Sequence, residues 1–295
     1  MPRRSRLDAE LVRRGLARSR DHAGTLIAAG RVLVGGVVAS KPATGVGTDA
    51  AVEVRQGAEP EWASRGAHKL LGALATFGVA TFGAGTVGSG TLGSDTLGSG
   101  TAVPRGLVVA GRRCLDAGAS TGGFTDVLLA YGAAHVVAVD VGYGQLAWRL
   151  RTDERVSVHD RTNVRSLTPE AIGGPVDLIV ADLSFISLRL VLPALVACGT
   201  PEVDLLPMVK PQFEVGREGL GPGGVVRDPA ARAAAVLGVV AAARELGLAL
   251  RGAVASPLPG PSGNVEFFVW LRPGPSAGAD ADEQTVRRAV LAGPR

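Results

Sequence analysis

The chain has 295 residues, of which 46% are hydrophobic and 4% aromatic, a composition typical of an α/β protein with an aliphatic core rather than of an aromatic-rich β-sandwich. Two cysteines and four scattered histidines exclude a disulfide framework and a zinc site, so we expect no metal. Residues 1–70 carry 12 Lys+Arg against 7 Asp+Glu, an excess that favours a polyanionic partner. A solvated, arginine-rich helix face would produce the same excess.

Residues 1–58 are predicted to form a small α+β domain. Leu7 and Leu11 lie at helical spacing, Gly15 ends that helix, and a serine caps a second helix from about residue 20 to residue 29. A glycine pair at 35–36 between two β-branched runs is typical of a two-residue hairpin, and residues 51–57 add a strand.

These elements resemble the S4 RNA-binding domain from residue 5 to about residue 56. The resemblance is carried, in order, by RLD (6–8), GL (15–16), SR (19–20), LIAAGRV (26–32), VGG (34–36) and KP (41–42). It implies that a basic helical face binds structured RNA. The expected contacts on that face are Arg6, Arg13, Arg14, Arg18 and Arg20.

Two segments follow this domain along the chain. Residues 67–77 predict a helix with Lys69 near its start, and residues 83–103 form a degenerate Gly/Ser/Thr repeat that we predict to be a flexible insert without chemistry. Only Lys41, Lys69 and Lys210 are lysines among the 31 Lys+Arg. Since arginine supplies the general positive charge, these positions are candidates for a task that arginine cannot perform, such as losing a proton.

Residues 64–272 are predicted to form an α/β domain, a doubly wound Rossmann-like fold with a seven-stranded sheet. Apolar strand runs alternate with helices from residue 112 onward, which favours parallel strands with helices on both faces. Ligands of such sheets bind beyond the carboxyl ends of the strands, where Asp116, Asp140, Asp182 and Lys210 fall. Residues 273–295 are set apart as a C-terminal tail that includes a possible short helix.

The loop after the first strand of this domain predicts a nucleoside cofactor. Gly118, Gly122 and Gly123 permit close backbone approach, but the loop is neither G-x-G-x-x-G nor a P-loop. Asp140, at the end of the next strand, is placed to accept ribose hydroxyl hydrogen bonds. This combination suits the adenosyl part of S-adenosylmethionine; a tight strand-to-helix turn with a capping Asp remains the alternative.

Four charged residues converge at the predicted reacting centre: Lys69, Asp182, Lys210 and Glu266. The D/N-P-P-Y-type motif of adenine amino-methyltransferases is absent after the fourth strand. Neither cysteine is placed as the nucleophile that cytosine C5 methylation needs, so both are expected to be core thiols. Taken singly, each of the four charged residues is equally compatible with a surface ion pair.

The whole pattern resembles the FtsJ-like ribose 2′-O-methyltransferases and, together with the S4-like domain, the haemolysin A (TlyA) family of rRNA cytidine-2′-O-methyltransferases. Two features depart from the pattern: the insert at 83–103, and His68, where the family usually has Leu. The matching stretches are SRGAHKL (64–70), CLDAGASTGGFT (114–125), VDVGYGQLAW (139–148), RTN (161–163), DLSFIS (182–187), VKPQFE (209–214), GGVVRDP (223–229) and GPSGNVE (260–266).

This resemblance implies S-adenosylmethionine as cofactor and cytidine of 16S or 23S rRNA, or both, as substrate within ribosomal subunits. It implies Lys210 as general base, oriented by Asp182 and Glu266, with Lys69 positioning the ribose and Arg65 contacting RNA. No obligate protein partner is implied. The implied cofactor residues are Asp116, Gly118, Ser120, Thr121, Gly122, Gly123, Phe124, Asp140, Asn163 and Asp182.

Three other functions are weighed against this one. A non-catalytic RNA-binding or ribosome-assembly factor would keep the same fold. A membrane-active haemolysin is disfavoured because the chain has no signal peptide and its longest apolar run, residues 233–243, is far shorter than the roughly 20 residues that span a bilayer. A small-molecule O-methyltransferase would have no use for an S4-like domain. We therefore expect a cytoplasmic enzyme that does not act on membranes.

Overall fold

The computed structural model describes residues 5–17, 19–28, 30–55, 62–79 and 106–294. Its contacts divide the chain into two units, Met1–Glu61 and Trp62–Arg295, which we describe separately. Arg18 and the predicted insert at 83–103 lie outside the described residues.

The N-terminal unit combines two helices with short antiparallel strands. Its turn at Gly35 and Gly36 has φ values of +57° and +81°, the left-handed conformation that a two-residue hairpin requires. Leu7, Leu11 and Ile27 are buried in its core. The elements are β1 (Ser5–Arg6), α1 (Leu7–Arg13), α2 (Arg20–Ala28), β2 (Val32–Val34), β3 (Val37–Val38), β4 (Gly45–Val46) and β5 (Val52–Val54), with β1 paired to β4 and a sheet in the order β3-β2-β5.

The C-terminal unit is the predicted doubly wound α/β fold. Its elements are α3 (Gly66–Thr76), β6 (Arg113–Ala117), α4 (Gly123–Ala130), β7 (His135–Val139), α5 (Trp148–Arg151), β8 (Val156–His159), β9 (Val176–Ala181), α6 (Leu188–Ala197), β10 (Gly199–Val209), α7 (Pro211–Glu214), α8 (Pro229–Glu245), β11 (Leu248–Ala255), β12 (Phe267–Pro273) and α9 (Ala279–Ala292).

Seven strands form its sheet in the order β11-β12-β10-β9-β6-β7-β8. The pairs between β8, β7, β6, β9 and β10 are parallel, whereas β12 runs antiparallel to both of its neighbours. The beginning of β12 therefore lies at the same edge as the carboxyl ends of β9 and β10. Since Glu266 directly precedes β12, this orientation places it at that edge.

Both faces of the sheet are covered, and alternate side chains of each central strand enter different cores. In β9, Ile179 and Ala181 pack in one core and Leu178 and Val180 in the other. The first core includes side chains of α6, α8 and α9, and the second includes side chains of α3 and α4. Strands buried on both faces read as continuous apolar runs, which is why the sequence showed no polar alternation there.

The segment that we set apart as a C-terminal tail contributes to the first core. Helix α9 buries Val286 and Val290 in it, and Asp282 pairs with Arg244 of α8. Residues 279–292 are thus part of the α/β body. No helix among the described residues is long and apolar enough to cross a membrane.

Candidate active site

A cavity of about 240 Å³ opens at the carboxyl edge of the sheet, between the loop after β6 and the start of α3. Lys69 and Arg65 reach it from the first turn of α3 and from the residue before that helix. Among the predicted cofactor residues, those that line the cavity are Gly118, Ser120, Thr121, Gly123, Phe124 and Asp182. Those that do not line it are Asp116, Gly122, Asp140 and Asn163. Ser64, Pro259 and Pro261 also line it and were not predicted.

The glycines of the loop allow it to pack closely against its own protein. A Cβ atom at Gly118 would lie 2.5 Å from the carbonyl oxygen of Asp182, and one at Gly123 would lie 2.3 Å from Ser64 Oγ. Gly122 has φ of +98° and caps α4. Any larger residue would therefore push the loop away from the end of β9 and from α3.

Asp140 holds this loop against the end of β7. Its Oδ2 accepts a hydrogen bond from the amide of Ser120 at 2.8 Å, and its Oδ1 accepts one from the amide of Gly142 at 2.7 Å. Ser120 itself has φ of +48°, a strained value for a residue with a side chain. Asn163, which follows β8, caps a short 3₁₀ turn, its Oδ1 accepting from the amide of Arg165 at 3.0 Å.

Asp116 is completely buried at the end of β6, and its carboxylate is only half satisfied. Thr125 Oγ1 donates to its Oδ2 at 2.7 Å, while its Oδ1 has no hydrogen-bond partner among the described residues. Burial raises the pKa of this carboxyl to about 7, and the nearby charges of Asp182 and Asp140 act in the same direction. Asp116 thus keeps one buried acceptor atom without a partner among the described residues, two residues before Gly118 of the cavity.

The four converging charged residues form two buried ion pairs. Lys69 Nζ lies 2.6 Å from Glu266 Oε2, and Lys210 Nζ lies 2.6 Å from Asp182 Oδ1. The lysine side chains are only 11% and 9% exposed. Each residue reaches the site from a separate element, because α3 begins, β9 and β10 end, and β12 begins at this edge of the sheet.

A second cavity of about 330 Å³ is lined by the other member of each ion pair. Lys210 and Glu266 line it, whereas Lys69 and Asp182 line the first cavity. Each ion pair therefore joins a residue of one cavity to a residue of the other. The two cavities share a wall made of two cations and two carboxylates.

An aromatic pair with one exposed ring lies at the second cavity. Phe185 is 91% exposed with φ of +63°, and its ring centroid lies 5.3 Å from that of Phe213. A large apolar side chain that is exposed on a strained backbone is a candidate ligand contact. We did not predict it, although the quoted stretch DLSFIS contains Phe185; the signal would have been an aromatic three residues after a strand-end Asp.

Asn264 is a second unpredicted residue of this cavity. Its buried amide accepts from the backbone N–H of Val226 at 2.9 Å and donates to the carbonyl of Gly224 at 3.0 Å. These two bonds fix the glycine-rich segment that forms part of the cavity wall. Since Asn264 lies two residues before Glu266, one short stretch positions both the glycine-rich segment and an acid of the site.

Four of the arginines predicted to bind RNA pair with two buried acids of α1. Arg6 and Arg20 contact Asp8 at 2.9 and 3.0 Å, and Arg13 and Arg14 contact Glu10 at 2.6 and 2.7 Å. These cations hold the pKa of Asp8 well below its usual range and lower that of Glu10 to about 2. The side chains of Arg6, Arg13 and Arg20 remain 52–59% exposed.

Arg14 differs from the other three. It is 20% exposed, and its guanidinium also donates to the carbonyls of Ala50 at 2.7 Å, Thr48 at 3.0 Å and Gly47 at 3.3 Å. These contacts tie α1 to the segment between β4 and β5. Arg14 therefore has a structural function inside the N-terminal unit.

The cysteines are both buried and free, in agreement with their expected core position. Burial raises the pKa of the Cys114 thiol to about 12, so it carries no thiolate near neutral pH. Among the described residues, no group of three His, Cys, Asp or Glu side chains is arranged to hold a metal ion.

Comparison with known proteins identifies the family. The FtsJ-like methyltransferase profile matches residues 62–273 and the S4 domain profile matches residues 5–52. Over the full length of both chains, the protein is 57% identical to the 16S/23S rRNA (cytidine-2′-O)-methyltransferase TlyA of Mycobacterium tuberculosis. It is 31% identical to hemolysin A of Brachyspira hyodysenteriae over 89% of this chain and 98% of that one.

A solved structure shows the same architecture. It is that of a Streptococcus thermophilus protein provisionally named a hemolysin, with a TM-score of 0.67 and 33% identity over 98% of this chain and 96% of that one. The chain therefore belongs to the FtsJ-like methyltransferases and, with an S4 domain ahead of that domain and full-length identity to these relatives, to their haemolysin A (TlyA) family.

Proposed function

We propose that the protein transfers a methyl group from S-adenosylmethionine to the ribose 2′-hydroxyl of cytidine in 16S or 23S rRNA, or in both. One observation carries the proposal: the two ion pairs join a cavity at the cofactor loop to a cavity lined by the rings of Phe185 and Phe213. Methyl transfer between two bound molecules needs two adjoining sites with the catalytic groups at their junction, so that the acceptor oxygen can reach the methyl group. The name of the mycobacterial relative supports rRNA cytidine as the acceptor.

The first cavity and the polar residues next to its loop fit S-adenosylmethionine, although Asp116, Asp140 and Asn163 do not themselves line the cavity. The unpartnered Oδ1 of Asp116 suits the ammonium of the amino-acid part, and Asp140 suits the ribose hydroxyls because each of its oxygens keeps acceptor capacity beyond one amide bond. The loop from Gly118 to Phe124 would lie along the ligand, with Asn163 at the base end. When bound, the cofactor supplies a methyl group activated by a positively charged sulfur.

A direct test of this cofactor site is the substitution Asp140→Ala. The ribose hydroxyls lose a charged acceptor, and the loop loses its bond from Ser120. A hydrogen bond to a charged group contributes about 1.5–3 kcal/mol, so we expect affinity for S-adenosylmethionine to fall roughly tenfold to hundredfold. Isothermal titration calorimetry measures this change. Unchanged affinity would show that Asp140 does not bind the cofactor.

Within the shared wall, Lys210 is the residue suited to remove the proton of the 2′-hydroxyl. It lies in a largely dry position beside Asp182, and an amine, unlike a guanidinium, can accept a proton near neutral pH. Lys69, held by Glu266, supplies a fixed positive charge for the ribose and its phosphate. Most of the rate enhancement then comes from alignment of the oxygen with the methyl group.

RNA recognition is divided between the two units. The aromatic pair Phe185 and Phe213 offers a stacking surface for an unpaired base in the second cavity. Arg65 borders the first cavity, and Arg6, Arg13 and Arg20 expose guanidinium groups for phosphates; Arg18 belongs to the same basic sequence. The substrate lies in ribosomal subunits, which places the proposed reaction in the cytoplasm.

The decisive experiment is transfer of labelled methyl from S-adenosylmethionine to rRNA, with mapping of 2′-O-methyl groups in cells with and without the protein. We expect one or more cytidines to lose the modification when the protein is absent. A non-catalytic assembly factor would bind rRNA without methyl transfer. Methylation of small alcohols but not of RNA would indicate a small-molecule enzyme, and liposome leakage would indicate a membrane-active protein.

A further inference from the structure

Lys210 is held by a second residue, Ser184, to which no role was assigned from the sequence. Besides its ion pair with Asp182, Lys210 Nζ donates a hydrogen bond to Ser184 Oγ at 2.9 Å. Ser184 lies in the loop after β9, two residues beyond Asp182, and it lines the second cavity together with Lys210. One strand end thus provides two oxygen atoms to the same amine.

This arrangement determines where the lone pair of a neutral lysine points. A neutral amine has two N–H bonds and one lone pair in tetrahedral positions, and a primary amine rotates freely about its last carbon–nitrogen bond. The Ser184 contact has hydrogen-bond geometry, whereas the Asp182 carboxylate contacts the amine as an ion pair without a hydrogen bond among the described residues. When one N–H donates to Ser184 and the nearby carboxylate attracts the other, the lone pair is left in the remaining direction. With Asp182 alone, the lone pair could point in several directions about that single contact.

We propose that Ser184 is a positioning residue for methyl transfer, which acts with Asp182 to direct the lone pair of Lys210 toward the 2′-hydroxyl in the second cavity. The inference rests on the proposed function. In the step that Ser184 serves, the 2′-hydroxyl proton passes to Lys210 Nζ, the oxygen bonds to the methyl carbon, and the electron pair of the broken carbon–sulfur bond stays on sulfur. Ser184 neither gains nor loses a proton.

The test compares full-length Ser184→Ala and Ser184→Thr with the parent enzyme, using labelled methyl transfer to rRNA under saturating cofactor. Ser184 is exposed, so truncation to Ala leaves no hole in the core. We expect kcat of Ser184→Ala to fall about tenfold to hundredfold, the effect of one lost hydrogen bond to a charged group. Affinity for S-adenosylmethionine should stay unchanged, and Thr, which keeps the hydroxyl, should restore most of the rate.

The stoichiometry of cofactor binding separates positioning from a general structural defect. Asp182, Glu266 and Lys69 remain in place in the variant, and only the hydroxyl that holds the lysine is lost. Loss of positioning should lower kcat at the parental stoichiometry of S-adenosylmethionine binding in calorimetry. A merely smaller fraction of folded enzyme would lower that stoichiometry together with the rate.

Ser157→Ala is the matched control, since Ser157 Oγ also bonds a side-chain nitrogen, His135 Nε2 at 2.8 Å, but on β8 outside both cavities. We expect it to keep parental kcat. The inference is overturned if the parent methylates rRNA and Ser184→Ala keeps its kcat, or if Ser184→Thr is as slow as Ser184→Ala. Absence of methyl transfer by the parent would instead contradict the proposed function.

Discussion

The acids of α1 and the acids of the shared wall are all paired with cations, but the two sets of pairs differ in range and burial. In the N-terminal unit, Asp8 and Glu10 pair with arginines that lie at most 12 residues away and are mostly exposed. At the shared wall, Lys69 pairs with Glu266, 197 residues later, and the lysine is largely buried. An exposed arginine of a local pair can leave its carboxylate and bind a phosphate instead. The buried lysine pairs have fixed geometry, and catalysis requires such fixed geometry to align the substrate.

The largest effect should follow from Lys210→Arg. The variant keeps the positive charge beside Asp182 but cannot accept a proton near neutral pH. Because a general base contributes about 10²- to 10⁴-fold, we expect methyl transfer to fall by at least that range while cofactor and RNA binding persist. Single-turnover assays measure methyl transfer, and calorimetry measures the binding of cofactor and RNA. Near-parental turnover would show that Lys210 is an electrostatic clamp and that the base lies elsewhere.

The comparison of buried with exposed pairs is tested by Glu266→Gln against Arg13→Ala. The first change leaves the charge of Lys69 buried without its anion, and breaking a buried pair from one side costs about 3–5 kcal/mol. The second leaves Glu10 in contact with Arg14 and Ser5, so the free energy of unfolding should be nearly unchanged. Urea unfolding of both variants measures this. Equal destabilisation would contradict the distinction between the two kinds of pair.

A smaller, pH-dependent effect is expected at Asp116, whose pKa is raised to about 7 by burial. An ammonium group binds the ionised carboxylate, so affinity for S-adenosylmethionine should rise with pH and level off above about pH 7. Asp116→Asn should bind weakly without that rise. Calorimetry at several pH values tests this, and a parental affinity that is flat from pH 6 to pH 8 would exclude the ammonium contact.

The raised pKa of Asp116 also affects the stability of the folded protein. Since the folded pKa of Asp116 exceeds the unfolded one, its contribution is most favourable at low pH and is lost as pH rises toward 7. The ligand-free parent should therefore lose stability relative to Asp116→Asn over that range.

The smallest effect per residue is expected in the N-terminal unit. Arg6→Ala, Arg13→Ala and Arg20→Ala together should raise the KM for rRNA, and each lost phosphate contact should reduce the salt dependence of binding by about one unit of slope. Arg14→Ala is the matched contrast, because it shares Glu10 with Arg13 but should mainly destabilise the unit. Binding curves at several salt concentrations distinguish the two. An unchanged slope in the triple variant would mean that these arginines do not anchor the RNA.

Local sequence determined much of the fold and part of the site. Helix and strand periodicity, the glycine pair at 35–36 and the alternation after residue 112 predicted both domain architectures, because these features depend on neighbours within a few residues. The motifs also brought Lys69, Asp182, Lys210 and Glu266 together, since parallel strands end at one edge of a sheet.

Only the tertiary structure decided which partner each of these residues has. It paired Lys69 with Glu266 and Lys210 with Asp182, joined Ser184 to Lys210, gave Arg14 a structural function, and packed α9 into the core. Such pairings depend on distances between atoms far apart in the chain. Sequence periodicity specifies which face of an element a residue occupies but not which side chain it meets across the fold.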